Sequence, residues 1–153
     1  VAEVVKMTGK PPLHVSLAAV QGSLSSPITG LYELLTAFPL VADFCDEVVI
    51  MYAGNVVERS AIEAVYQSPA HPYTRALLAA APQSGTPRTM LPTIGGRVPP
   101  AGALPTGCRF LPRCPFGLPG VCDVPQPLRD VAPGHPAACV RVADGSLDLV
   151  AQG

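Results

Sequence analysis

The sequence predicts an α+β chain: a small β-hairpin with short helices, followed by a loop-rich, Pro/Gly-rich segment that carries four cysteines. Three observations lead there. Val48-Val49-Ile50-Met51-Tyr52 is a strand-forming run, and it meets Gly54-Asn55, residues tolerant of positive φ, before Val56-Val57-Glu58 returns. Good helix formers follow in two short stretches, ending near Gln67 and Ala81. Residues 92–139 then hold eleven of the nineteen prolines and seven of the fourteen glycines, together with Cys108, Cys114, Cys122 and Cys139. No regular ladder is expected in such a segment, so its order has to come from turns and from something the four sulfurs share.

The bulk numbers narrow the class. A length of 153 residues suits one domain, or one domain with an appendage. Hydrophobic residues make up 48% and aromatic residues only 5%, with no Trp, which fits a small aliphatic core and not a disordered chain. Ten Lys+Arg against eleven Asp+Glu leave no overall electrostatic footprint for nucleic acid or anionic lipid. Only a local pair, Arg109 and Arg113, stands out. The longest apolar runs are interrupted by Glu33, Pro39 and Asp43, well short of the ~20 residues of a membrane span. The N-terminus lacks a secretory pattern, so the expected compartment is the cytoplasm, where clustered cysteines bind metal more often than they pair.

In chain order, Val4, Val5 and Met7 begin a short element that Gly9 and Pro11-Pro12 stop, and residues 14–20 read as a strand or short helix. Ser26 as cap and Pro27 at the first helical position predict a helix through roughly residues 31–37. Pro39 begins a second one, with Leu40, Val41 and Phe44 on one face; Cys45 at its end reads as a small buried hydrophobe. Beyond the hairpin, Ser60-Ala61-Ile62-Glu63 has the pattern of a capping box. His71-Pro72-Tyr73 opens the next helix, with His71 capping or bracing its start and Tyr73, Leu77 and Ala80 or Ala81 facing the hairpin. Residues 83–90 read as a linker. The expected division is an unplaced segment 1–36, a hairpin-and-helix unit 37–82 and a cysteine-rich unit 83–153, whose last dozen residues form a short strand or frayed tail.

At this point a family pattern is visible. Val-Ala-Asp-Phe-Cys-Asp-Glu-Val-Val-Ile-Met-Tyr-Ala-Gly-Asn-Val-Val-Glu (41–58) resembles the end of the nucleotide-binding domain of ABC transporter ATPases. Ser-Pro-Ala-His-Pro-Tyr-Thr-Arg-Ala-Leu-Leu (68–78), Leu-Pro-Thr-Ile-Gly-Gly-Arg-Val-Pro (91–99) and Gly-Cys-Arg-Phe-Leu-Pro-Arg-Cys-Pro (107–115) are similar to the C-terminal region of oligopeptide/dipeptide and nickel importer ATPase subunits. The resemblance covers about residues 41–141. It implies a peptide importer subunit at the cytoplasmic face of the inner membrane, working with permease subunits and a partner ATPase, and using ATP and Mg²⁺ in the intact protein. It also implies a [4Fe–4S] cluster whose ligands are Cys108, Cys114, Cys122 and Cys139.

The departures are equally specific. An ATPase of this type cradles phosphates with G-x-x-x-x-G-K-[ST], and no such stretch occurs; Gly9-Lys10 runs into proline. The Leu-Ser-Gly-Gly-Gln signature and the acidic Walker B strand are also absent, and Gln21-Gly22-Ser23-Leu24-Ser25 only echoes the former. Thr36 fits the family, but the switch His-Asp that should follow it does not appear, and residues 1–34 match nothing in the family. The expectation is a C-terminal fragment that is not itself an enzyme, with upstream sequence foreign to the ATPase.

The cysteine spacing, C-x5-C-x7-C-x16-C, lacks the tight knuckles of structural zinc sites and would let loops wrap a larger object. A [4Fe–4S] cluster suits it, and zinc, disulfides or nothing remain alternatives. Arg109, Arg113 and backbone N–H groups would offset a cluster's negative charge. His135, four residues before Cys139, is the one candidate nitrogen ligand and reads more simply as a turn residue. Four protein ligands leave no open coordination position, and no acid/base pair stands nearby, so the expected role is a structural or redox-responsive staple. A free-standing zinc- or cluster-binding module is the alternative function, and a small hydrolase has no supporting constellation. The hairpin by itself would leave an unpaired edge that invites association.

Overall fold

In the computed structural model, residues 46–80 and 93–149 are described. The helices expected within 27–45, and Cys45 with them, lie outside the described residues. Among these residues four strands form one antiparallel sheet: β1 (Glu47–Tyr52), β2 (Asn55–Ala61), β3 (Arg129–Ala132) and β4 (His135–Ala137), in the order β1-β2-β4-β3. Among the described residues three short α-helices accompany it, α1 (Ile62–Gln67), α2 (Pro72–Ala80) and α3 (Val140–Ala143). The α+β class expected for the chain is the one found.

The β1–β2 hairpin closes one residue earlier than Gly54-Asn55. Its turn is Ala53-Gly54, with φ of 49° and 85°, and Asn55 already pairs with Tyr52. Two positive φ values in a two-residue turn match the twist of the flanking strands. Further along, the register jumps from Ile50–Glu58 to Met51–Val56, which leaves Val57 without an opposite number. This bulge breaks the in/out alternation: Val57 and Glu58 are neighbours, yet both are buried. A regular strand would have sent one of them to solvent.

Ser60 does not cap a helix. It belongs to β2, opposite Val48, and its hydroxyl donates to the Gly134 carbonyl at 3.4 Å. The strand runs on to Ala61, which becomes the N-cap of α1 without a side-chain bond. The capping-box pattern loses here to the ladder, which commits the Ser60 backbone to an extended conformation. Helix α2 forms where expected. Pro72 takes its first position, the His71 Nδ1 accepts the Tyr73 N–H at 3.1 Å, and Tyr73, Thr74, Leu77 and Ala80 make the buried stripe.

The proline-rich segment does build a ladder, against expectation. β3 and β4 are four and three residues long, joined through Pro133-Gly134 with Gly134 at φ 69°. Pro136 interrupts so short a ladder without ending it. β4 then docks on β2 through the Glu58–Ala137 pair and through the Ala138 N–H, which donates to the bulge carbonyl of Val57 at 2.8 Å. The sheet thus takes strands from both sides of residue 83, and the β2 edge of the hairpin is covered while β1 stands at the sheet's end. The C-terminal stretch is not frayed over 140–149. It forms α3 and then buries Leu147 and Leu149.

The core gathers Val48, Ile50 and Tyr52 from β1, Ile62 and Val65 from α1, Tyr73 and Leu77 from α2, and Phe110 from the cysteine-rich segment. Among the described residues no helix is long and apolar enough to cross a membrane.

Candidate functional site

Phe110 is the peg that sets the cysteine-rich segment in place. It is 1% exposed, with its ring 5.2 Å from Tyr52 and 5.3 Å from Tyr73, centroid to centroid. The first contact is edge-on and the second tilted, and aromatic contacts of this kind add to the area they bury. Cys108 stands two residues earlier, and Cys114 follows the 3₁₀ turn Leu111–Arg113. The Cys108 N–H donates to the Cys122 carbonyl at 2.9 Å, which ties the two cysteine loops together. That contact requires Gly107: a Cβ there would lie 2.4 Å from the Asp123 carbonyl carbon and 2.5 Å from the Cys122 oxygen.

Gln126 and β4 bring in the fourth cysteine. The Gln126 amide donates to the carbonyls of Val121 and Val124 and accepts the Val140 N–H at 3.1 Å, so one side chain joins the Cys122 loop to the residue after Cys139. Cys139 itself is the N-cap of α3.

All four cysteines are free thiols, and all four line one small cavity of about 20 Å³, which His71 from the start of α2 and Arg141 from α3 also border. Three of the sulfurs face backbone N–H groups: Cys108 those of Phe110 and Leu111, Cys114 that of Phe116, and Cys139 those of Arg141 and Val142. Burial is the largest influence and raises the thiol pKa at Cys108 and Cys139, and at Cys114 to about 11; the N–H groups pull each back, and charge on the neighbouring sulfurs pushes it up again. These mutual effects connect every pair among the four. The thiols surround a space and do not meet at a point, and among the described residues no group of three or more His, Cys, Asp or Glu is gathered to hold a metal ion. Four soft donors, met by N–H groups on three sides, fit an anionic sulfur-ligated group held at its perimeter.

The two arginines expected to serve that charge are used elsewhere. Arg109 donates to the Ala53 carbonyl in the hairpin turn. Arg113 spans the Ile94 and Gly95 carbonyls, both at 2.7 Å, and reaches the Tyr52 hydroxyl at 3.3 Å. Arg109 pins the segment to the hairpin turn and Arg113 pins it to residues 94–95 and to Tyr52, because unpaired carbonyls need donors. Arg141 borders the thiols instead.

Of the two described histidines, His135 offers no nitrogen to the thiol cavity, and His71 borders it with its Nδ1 already engaged. His135 is neither a turn residue nor a thiol-cavity residue; it opens β4 and sets its Nε2 2.7 Å from the Glu58 carboxylate. His71 spends its Nδ1 on the helix cap, and burial lowers its pKa to about 3, so it is neutral. Glu58, Phe110, Gln126 and Arg141 are the supporting residues that sequence reasoning missed. A lone Phe two residues after Cys108, in a chain only 5% aromatic, was the one available signal.

The family described as "Oligopeptide/dipeptide transporter, C-terminal region" matches residues 57–122, from the β2 bulge to the third cysteine. A probable peptide ABC transporter ATP-binding protein of Sinorhizobium fredii is 43% identical over 104 residues, covering 67% of this chain and 31% of the relative. Putative peptide import ATP-binding proteins of Brucella abortus and Brucella ovis are 41% identical over 100 residues and 39% over 103, covering 65% and 67% of this chain and 30% and 32% of the relatives. The chain spans about a third of the length of these relatives. Over residues 57–122 the chain therefore matches the C-terminal region of the oligopeptide/dipeptide transporter family.

Proposed function

We propose that this chain is the C-terminal part of a peptide-importer ATP-binding subunit, and that Cys108, Cys114, Cys122 and Cys139 hold a [4Fe–4S] cluster within it. The observation that carries the cluster reading is the convergence of all four thiols on one cavity, with backbone N–H groups turned to three of them. Bound there, the group would supply a cross-link between four loops and a one-electron redox centre. The chain's own residues do the rest. Phe110 anchors the loop on the aromatic core, Gln126 spans two cysteine loops, and the N–H groups of residues 110, 111, 116, 141 and 142 stabilise thiolates once their protons leave.

In the whole protein, ATP with Mg²⁺ would bind upstream of this region and its hydrolysis would drive peptide uptake through permease subunits and a partner ATPase at the cytoplasmic side of the membrane. The present chain carries no phosphate loop, so no ATPase activity is expected of it. A zinc-holding module is the second reading, favoured by the same four thiols. It would require the sulfurs to close on one point, which they do not do as placed.

Anaerobic purification with a visible spectrum and metal analysis tests this. About four irons per chain with a broad charge-transfer band are expected of the cluster. About one zinc per chain establishes the second reading. Neither metal overturns both.

A further inference from the structure

Arg141 has its two terminal nitrogens committed. One donates to the Phe116 carbonyl at 2.7 Å and the other to the Ser146 carbonyl at 3.2 Å. Its third donor, Nε, is fully buried and has no partner among the described residues. A guanidinium is planar, so fixing both ends fixes the direction of the Nε–H as well. A buried charged donor left unmet is costly, and such orphans call for an explanation. Asp144 does not provide it: Arg141 lowers the Asp144 pKa, but that carboxylate is exposed and is occupied first by Ser146. What Arg141 does border is the thiol cavity, where it is the arginine among the described lining residues. Its backbone N–H already faces the Cys139 sulfur.

Resting on the thiol-site reading above, we propose that Arg141 is a positioning and tuning residue for the bound group: its Nε–H donates to a sulfur of that group and sets its reduction potential. A fixed positive donor beside the sulfurs favours the more negative, reduced state, so it raises the potential. Arg109 and Arg113, which the sequence offered for this role, are turned to the hairpin and to residues 94–95, and do not compete for it.

The test uses the full chain reconstituted anaerobically with iron and sulfide. Redox titration of Arg141→Gln should give a midpoint shifted to a more negative value than the parent's. Pulsed EPR of the reduced parent chain, grown with arginine carrying ¹⁵N only in its guanidinium group, should show a weak coupling to that nitrogen; this needs no variant and stands even if Arg141→Gln does not fold. An iron-loaded parent without that coupling overturns the inference and leaves the thiol-site reading intact, as does an iron-loaded variant with an unchanged midpoint. A parent that takes up no iron overturns both.

Discussion

The imidazole Nε2 of His135 lies 2.7 Å from the carboxylate of Glu58, 77 residues away along the chain, and both side chains are buried. The same carboxylate accepts the N–H groups of Ala70 and His71, each at 2.8 Å, where a negative charge suits the start of α2. Glu58 thus joins β2, the N-terminus of α2 and β4. Since His71 borders the thiol cavity and Cys139 lies just beyond β4, this carboxylate sets the spacing of two of the cavity's walls. Glu58→Ala leaves three donors without their acceptor and should cost about 3–5 kcal/mol. Urea denaturation measures it, and a loss below about 1 kcal/mol contradicts the role assigned to Glu58.

His71 makes stability pH-dependent. Burial lowers its folded pKa to about 3, whereas the unfolded value is near 6.5. Between those values the unfolded chain binds a proton that the folded chain refuses, so stability rises with pH through that window and falls as the solution is acidified below about 6.5. His71→Asn keeps an N-capping side chain and removes the titration. Its melting temperature should fall less than the parent's between pH 6.5 and 4; parallel curves would show that His71 is not the group responsible.

Gly107→Ala forces a backbone shift, because the added carbon would sit 2.4 Å from Asp123 main-chain atoms that cannot swing aside. The Cys108–Cys122 backbone bond is then strained or broken, and iron taken up per chain should drop severalfold. Gly102 has open space around it, so Gly102→Ala should load as the parent does.

Without metal, Cys108, Cys114 and Cys139 should be slow nucleophiles at neutral pH. With Cys114 near 11 and Cys108 and Cys139 also raised, alkylation by iodoacetamide should accelerate about tenfold per pH unit below those values, following the thiolate fraction. Loading iron should protect all four, and uptake should release protons. Rapid, pH-independent alkylation near neutrality would contradict the burial argument.

Local chemistry was enough to read the hairpin over residues 48–58, the helix after Pro72 with its buried stripe, the grouping of four cysteines and the resemblance to peptide-importer ATP-binding subunits. Each depends on neighbours in sequence: β-branched residues meeting a glycine turn, a proline at the first helical position, or a motif recognised as a string. Tertiary structure alone decided that Val57 bulges and turns Glu58 inward, that β3 and β4 form despite Pro136 because β2 offers them an edge, and that Ser60 joins the ladder instead of capping α1. It also moved Arg109 and Arg113 to hairpin and loop carbonyls and left Arg141 beside the thiols. A buried polar group takes whichever partner the packed chain brings within 3 Å or so, and that partner is often tens of residues distant. Composition and spacing announce which donors and acceptors exist; only the closed core determines which of them meet.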